Sequence, residues 1–109
     1  REELLSIYGI GEETADDIVL YAANKPIFVI DAYTRRILGR LGLEPLQDRY
    51  SSYQALFMES LPHDAELFNE YHALLDHHAV ETCRKRQPGC AGCCLLVVCP
   101  TGIGSVARE

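Results

Sequence analysis

Four cysteines, Cys83, Cys90, Cys93 and Cys99, crowd the end of this chain, separated by six, two and five residues. Uneven short intervals of this kind suit a cuboidal iron–sulfur cluster, because each thiolate must approach a different iron corner from a different direction. Zinc is the rival metal. It also favours Cys-x-x-Cys pairs, but a structural zinc site usually shows two of them, and only Cys90/Cys93 has that spacing with more distant cysteines on either side. Disulfides are a third possibility. All five cysteines lie between Cys83 and Cys99, so any bridge would close a small loop and staple nothing distant. Local clustering favours a metal and a reducing compartment. Cys94 is the spare thiol, since its neighbour Cys93 already has the pair spacing. Cys99-Pro100 resembles the cysteine–proline ending of cluster runs.

The 109 residues suffice for one small domain, with the apolar share of 48% and charged share of 24% of an ordinary globular chain. No apolar run approaches the roughly 20 residues that span a bilayer. The opening Arg1-Glu2-Glu3 does not read as a signal peptide. With no initial methionine and a start inside a helical pattern, the chain is expected to be a piece of a longer protein. A net charge of −6 argues against indiscriminate binding to nucleic acid, since phosphate affinity comes mainly from lysine and arginine. Six of the ten basic residues nevertheless fall in two clusters, Arg35/Arg36/Arg40 and Arg84/Lys85/Arg86. Either two solvated faces or a polyanion contact would explain them, and the second cluster lies inside the first cysteine loop.

The periodicity predicts an all-α chain. Helices are expected over 2–8, ending at Gly9, and over 12–24, with Ala15, Ile18, Val19 and Ala22 on one face. Asn24-Lys25-Pro26 breaks the second of these. Ile27 to Ile30 is apolar and β-branched; lacking a partner strand, it reads as a buried extended connector. Asp31 suits the cap of a helix running to Leu41, with Thr34, Ile37, Leu38 and Leu41 inward. A fourth helix runs from Asp48 or Ser51 to Leu61 and carries Tyr50, Tyr53 and Phe57. The longest, from Asp64 to Thr82, has Leu67, Phe68, Tyr71, Leu74, Leu75 and His78 as its apolar stripe. His72 and His78 are expected to face the core or the cysteines, and neither is assigned as ligand or base. Beyond Cys83 regular structure is expected to fade, with residues 101–109 a loose tail.

Two further features carry chemistry. Gly9 and Gly11 can both adopt the positive φ of a tight turn between helices, and Ile10 would plug the gap between them. Bare backbone there lets N–H groups reach a phosphate, although a plain interhelical turn has the same look. Glu12 and Glu13 suit a helix start but repel phosphate, so backbone amides and a bound monovalent cation would have to carry such a contact. Asp31 is both a natural cap and a carboxylate that a helix start would hold ionised, as a group facing developing positive charge must be.

The stretch Leu5 to Leu43, with Gly9-Ile10-Gly11, Thr14-Ala15 and Val29-Ile30-Asp31, resembles the helix–hairpin–helix DNA glycosylases of the endonuclease III type. The spacing of Cys83, Cys90, Cys93 and Cys99 matches that family's [4Fe-4S] cluster signature. The likeness covers nearly the whole chain but only the C-terminal part of the family's two-domain, all-α fold. Residues 1–26 would be a remnant of the six-helix domain and residues 27–100 the cluster domain. A complementary half would cover apolar surface at Ile18, Val19 and Tyr21. The resemblance implies a base-excision enzyme that flips a damaged nucleotide out of double-stranded DNA and cuts its N-glycosidic bond. Asp31 would be the catalytic carboxylate, and Gly9, Ile10 and Gly11 would hold a phosphate. Arg84, Lys85 and Arg86 would meet the DNA backbone, and the four cysteines would hold a mainly structural cluster.

One departure bears on mechanism. Bifunctional relatives place a lysine just before the Thr-Ala of the hairpin, to form a Schiff base with the sugar. Here that residue is Glu13, which cannot form an imine, and Lys25 matches no motif position. A monofunctional glycosylase is therefore expected. The context Glu-Thr-Ala-Asp and Ile-Asp-Ala-Tyr-Thr-Arg-Arg looks most like relatives acting on alkylated purines, with mismatch glycosylases the next choice. This chain alone is expected to be a poor enzyme, and its parent a cytoplasmic, nucleoid-associated protein. Two other classes remain open: a non-catalytic DNA-binding module and a zinc-stabilised helical interaction domain.

Overall fold

The computed structural model describes residues 1–107, and every regular element among them is helical. The elements are α1 (Glu2–Leu5), α2 (Glu12–Asp17), α3 (Ala32–Leu41), α4 (Tyr50–Ser60), α5 (Ala65–Glu81) and α6 (Pro100–Ala107). Two 3-10 turns, Cys90–Gly92 and Leu96–Val98, lie between α5 and α6. The chain forms two compact units that interleave in sequence. Unit one holds residues 1–31 and 45–73, and unit two holds 32–44 and 74–109. The long helix α5 supplies residues to both.

Unit one is built around the connector after Pro26. Phe28, Val29 and Ile30 are buried in an extended run that pairs with no strand. Burying a phenylalanine completely is worth roughly 1.5–3 kcal/mol, and Phe28 uses both its face and its edge. Its ring stacks on Phe57 at 3.9 Å between centroids and meets Phe68 edge-on at 5.4 Å. An extended segment with no neighbouring strand must find partners for its backbone elsewhere. The Gln54 side-chain amide donates to the Phe28 carbonyl at 2.7 Å, and the Ile30 N–H donates to the Tyr50 hydroxyl at 3.3 Å. Both partners come from α4.

The helix expected over 12–24 is narrower in its regular part. Beyond Asp17 the chain widens into a π-type turn over Ile18–Ala22, closed by the Ala23 N–H donating to the Ile18 carbonyl. The wide turn puts Leu20 fully in the core and leaves Tyr21 half exposed. The first helix is also shorter than expected, ending at Leu5. α5 matches its prediction to a residue or so. Asp64 Oδ1 accepts from the Glu66 and Leu67 amides, at 2.9 and 3.2 Å, and so caps its start.

Unit two packs α3 against α6. Thr34, Ile37 and Leu38 face inward as their spacing predicts, with Ala79 of α5 also buried. Leu74, expected on the apolar stripe of α5, is instead 62% exposed. The expected loose tail is a correction: residues up to Ala107 form helix α6, with Pro100 at its first position, where a missing N–H costs nothing. Gly102 explains the close packing. A methyl group there would lie 3.2 Å from Leu96 Cδ1 and 3.5 Å from Cys99 Sγ. The part of that tail at 108–109 lies outside the described residues.

Candidate functional site

Unit one carries the carboxylate site. Asp31 directly precedes α3, and its side chain is 11% exposed. Its Oδ2 lies 2.9 Å from Nε2 of His72, whose side chain is 12% exposed. On the other side of the imidazole, Nδ1 lies 2.7 Å from the Tyr21 hydroxyl. Asp31, His72 and Tyr21 thus form a hydrogen-bonded row drawn from the connector, α5 and the widened turn.

A second buried carboxylate, Asp16, lies on α2. It is fully buried and accepts from Arg1 Nε at 2.7 Å, the Tyr50 hydroxyl at 2.8 Å and the Gln54 amide at 2.9 Å. The bond to Asp16, followed by its charge, holds the Arg1 guanidinium above its usual pKa against the cost of burial. Burial first, with help from Asp16, pushes the Tyr50 phenol far above its ordinary pKa. Tyr50 and Gln54 are the same two residues that hold the Phe28–Ile30 backbone, so Asp16 fixes the path that leads to Asp31. Burial also raises the Asp17 carboxyl, opposed by His72 and reinforced by the charges of Asp31 and Asp16. Asp17 therefore lies within the fields of Asp31 and of Asp16, the latter paired with Arg1.

The hairpin residues differ from one another. Gly9 has φ +89°, the left-handed conformation that favours glycine, whereas Gly11 is extended at φ −88° and starts α2. Of the two glycines that can adopt a positive φ, only Gly9 does so. Ile10 is half-buried, and Tyr8 beside it is fully exposed. Glu12, expected to repel phosphate, is ion-paired with Arg1 at 3.2 Å.

Unit two carries the thiols. All five cysteines are free, and Cys83, Cys90, Cys93 and Cys99 line one cavity. Its lining includes the apolar side chains of Ile37, Leu41, Leu95 and Leu96. Cys94 is exposed and outside that lining. Three of the sulfurs have donors. Arg40 Nη1 lies 3.3 Å from Cys83 Sγ, the Leu95 N–H 3.4 Å from Cys93 Sγ, and the Gly102 N–H 3.4 Å from Cys99 Sγ. His78 Nε2 is 3.7 Å from Cys93 Sγ.

The two basic clusters part company here. Arg36 donates to the carbonyls of Ala79 and Cys83 and lies over the Tyr33 ring. Arg40 donates to the carbonyls of Arg84 and Lys85. Both arginines shape the cysteine loop from within. Arg84 closes the loop on itself through the carbonyls of Glu81 and Gln87, while Lys85 and Arg86 are exposed.

Sequence reasoning placed Asp31, the hairpin and the thiols. It passed over Asp16, Tyr50 and Gln54, and left His72 without a role. Their partners lie 34 to 41 residues away, and no local spacing signals such a pairing.

An all-helical chain with a helical hairpin, a buried carboxylate opening a helix and a four-thiol cavity defines the helix–hairpin–helix class. No protein-family model matches the chain. A DNA repair glycosylase of Methanocaldococcus jannaschii is 48% identical over 86 residues, which is 79% of this chain and 39% of that protein. Endonuclease III of Sulfolobus acidocaldarius is 32% identical, over 91% of this chain and 44% of that protein. Among solved structures, a non-covalent endonuclease III–DNA complex superposes with a TM-score of 0.86 at 26% identity, over 99% of this chain and 49% of that one. The chain is homologous to the endonuclease III-type DNA glycosylases and has the fold of their C-terminal region. It spans less than half the length of the curated relatives it matches.

Proposed function

We propose that the protein to which this chain belongs is a monofunctional DNA glycosylase that removes alkylated purines from double-stranded DNA, with Asp31 as its catalytic carboxylate. The observation that carries the reading is the enclosed Asp31 side chain at the head of α3, held by His72. As the N-glycosidic bond breaks, its electron pair leaves with the base and the sugar gains oxocarbenium character. A carboxylate facing that cation lowers the barrier. Water then adds to the anomeric carbon and gives up a proton, with Asp31 the nearby acceptor. An alkylated purine such as 3-methyladenine is itself cationic and departs as a neutral base, so it needs no strong general acid.

Glu13, exposed in the first turn of α2, supports the monofunctional assignment, because a carboxylate cannot form the imine of a lyase. Gly9, Ile10 and Gly11 are proposed to hold a backbone phosphate, with a monovalent cation assisting. Lys85 and Arg86, with Arg84 fixing their loop, are proposed to contact the DNA backbone. A protein with this task works on the nucleoid.

The thiol cavity fits a [4Fe-4S] cluster: four thiols, apolar walls and three sulfurs with donors. Cys83, Cys90, Cys93 and Cys99 would hold it, and it would supply a cross-link between the end of α5, the following loop and the start of α6.

The test is excision from methylated duplex DNA by the full-length protein, beside Asp31→Asn. Release of 3-methyladenine that falls by about 10²–10³-fold in the variant is the expected result. Equal release from both proteins would remove Asp31 from the reaction.

A further inference from the structure

We infer that His72 is a positioning residue that fixes the orientation of Asp31, and that Tyr21 sets the tautomer in which it does so. The inference rests on the proposed role of Asp31 and extends it to two residues with no assigned part in the reaction.

The geometry permits one consistent proton arrangement at neutral imidazole. Asp31 Oδ2 can only accept while the carboxylate is ionised, so His72 Nε2 carries the proton and donates across 2.9 Å. Nδ1 is then an acceptor, and the Tyr21 O–H donates to it across 2.7 Å. Tyr21 thereby holds the imidazole as the Nε2–H tautomer. A residue that accepted from Nδ1–H instead would turn the ring's acceptor nitrogen towards a carboxylate, which repels it.

One consequence follows for the sugar cation. The bond to Nε2 engages Oδ2 and so restrains the rotation of the carboxylate. Orienting partners of this sort matter because a small error in placing a charge forfeits much of its effect. The packing is also specific. His72 and Asp31 are both nearly buried, and the ring centroid of His72 lies 6.0 Å from that of Tyr21.

The experiment uses the full-length protein and measures single-turnover release of 3-methyladenine, with affinity for the lesion duplex measured separately. His72→Phe keeps the ring volume and removes both nitrogens. It should slow release by about 10–100-fold, the usual effect of losing an orienting partner, with DNA affinity within about twofold. His72→Gln can still donate to Asp31 and should recover most of the rate. His72→Phe added to Asp31→Asn should lower the rate no further, because its effect runs through Asp31. In ¹⁵N spectra of the wild type, His72 should show a protonated Nε2 and a bare Nδ1, and Tyr21→Phe should erode that preference.

If Asp31→Asn excises normally, the catalytic reading of Asp31 falls, and this inference with it. If Asp31→Asn is inactive while His72→Phe keeps the wild-type rate, Asp31 stands and the role of His72 is overturned. Equal losses in His72→Phe and His72→Gln, additive with Asp31→Asn, would overturn it as well, by reducing His72 to packing.

Discussion

The Tyr50 hydroxyl donates to the Asp16 carboxylate at 2.8 Å while accepting from the Ile30 N–H at 3.3 Å. One phenol thus joins a buried charge on α2 to the backbone next to Asp31. Replacing Asp16 by alanine leaves the Tyr50 hydroxyl and the Gln54 amide without their shared acceptor and Arg1 without its ion partner. The expected loss is about 3 kcal/mol in denaturant unfolding of the full-length protein, against about 1–2 kcal/mol for Tyr50→Phe. Equal stability of the Asp16→Ala and wild-type proteins would show that this network is dispensable.

The same phenol predicts an alkaline limit. Its pKa in the fold is raised above the ordinary 10.0, chiefly by burial, so the folded state favours the neutral form. Stability from this group is therefore complete below pH 10 and is lost as the pH climbs above that value, where the unfolded phenol ionises first. Unfolding curves taken between pH 8 and roughly 11.5 should steepen their decline above pH 10 in the wild type. In Tyr50→Phe that part of the decline should disappear.

How much of this was legible in advance depends on the range over which each interaction acts. The head of α3, with Thr34, Ile37 and Leu38 inward, follows from local periodicity, and the Asp64 cap of α5 follows from the residue types at one helix end. The Asp16 network does not, because its partners are brought in by tertiary folding. An aspartate in Glu-Glu-Thr-Ala-Asp-Asp reads as part of a solvated helix face. Helix α6 was missed for a different reason. Thr-Gly-Ile-Gly-Ser has poor intrinsic helix propensity, and close packing of Gly102 on Leu96 and Cys99 supplies what propensity lacks. The π-type turn at Ile18–Ala22 likewise carries the same apolar periodicity as an ordinary helix, so the pattern could not distinguish them.

The hairpin glycines should separate stability from binding. Gly9→Ala forces a side chain into φ +89° and should cost about 1 kcal/mol, although a methyl group there meets nothing within 4 Å. Gly11→Ala sits in an extended conformation with open space around it, and should cost about 0.5 kcal/mol because alanine is a poorer cap than glycine at the start of α2. If the hairpin holds a phosphate, Gly11→Ala should still weaken binding to duplex DNA, because its methyl group stands where the backbone must approach. Unchanged affinity in a normally folded Gly11→Ala protein would leave the hairpin as a plain turn.

The thiols divide four to one. Anaerobically purified full-length protein is expected to be brown, with iron and labile sulfide in equal amounts. Cys94→Ser should keep that composition, since Cys94 is exposed and outside the cavity. Cys99→Ser should lose iron and lower the unfolding temperature, as Cys99 ties the start of α6 to the cavity. A colourless protein carrying one zinc would replace the cluster by a single ion in the same pocket.

The proposal that the reaction stops at base release turns on Glu13. With a carboxylate ahead of Thr14-Ala15, the wild type should release the base and leave the strand whole, and borohydride should trap no covalent protein–DNA adduct. Glu13→Lys restores an amine at that point. Attack by its nitrogen on the anomeric carbon displaces the base, and opening of the sugar ring at C1′–O4′, with O4′ taking up a proton, would give an imine that borohydride reduces to a stable link, so a trapped adduct is expected from this variant alone. The wild-type result carries the weight. If the wild type itself is trapped, an amine elsewhere supplies the nucleophile, and Lys25 is the first to examine because it lies in the loop just beyond the widened turn. Loss of trapping in Lys25→Ala would then assign the lyase to that residue and make Glu13 irrelevant to the choice between the two chemistries.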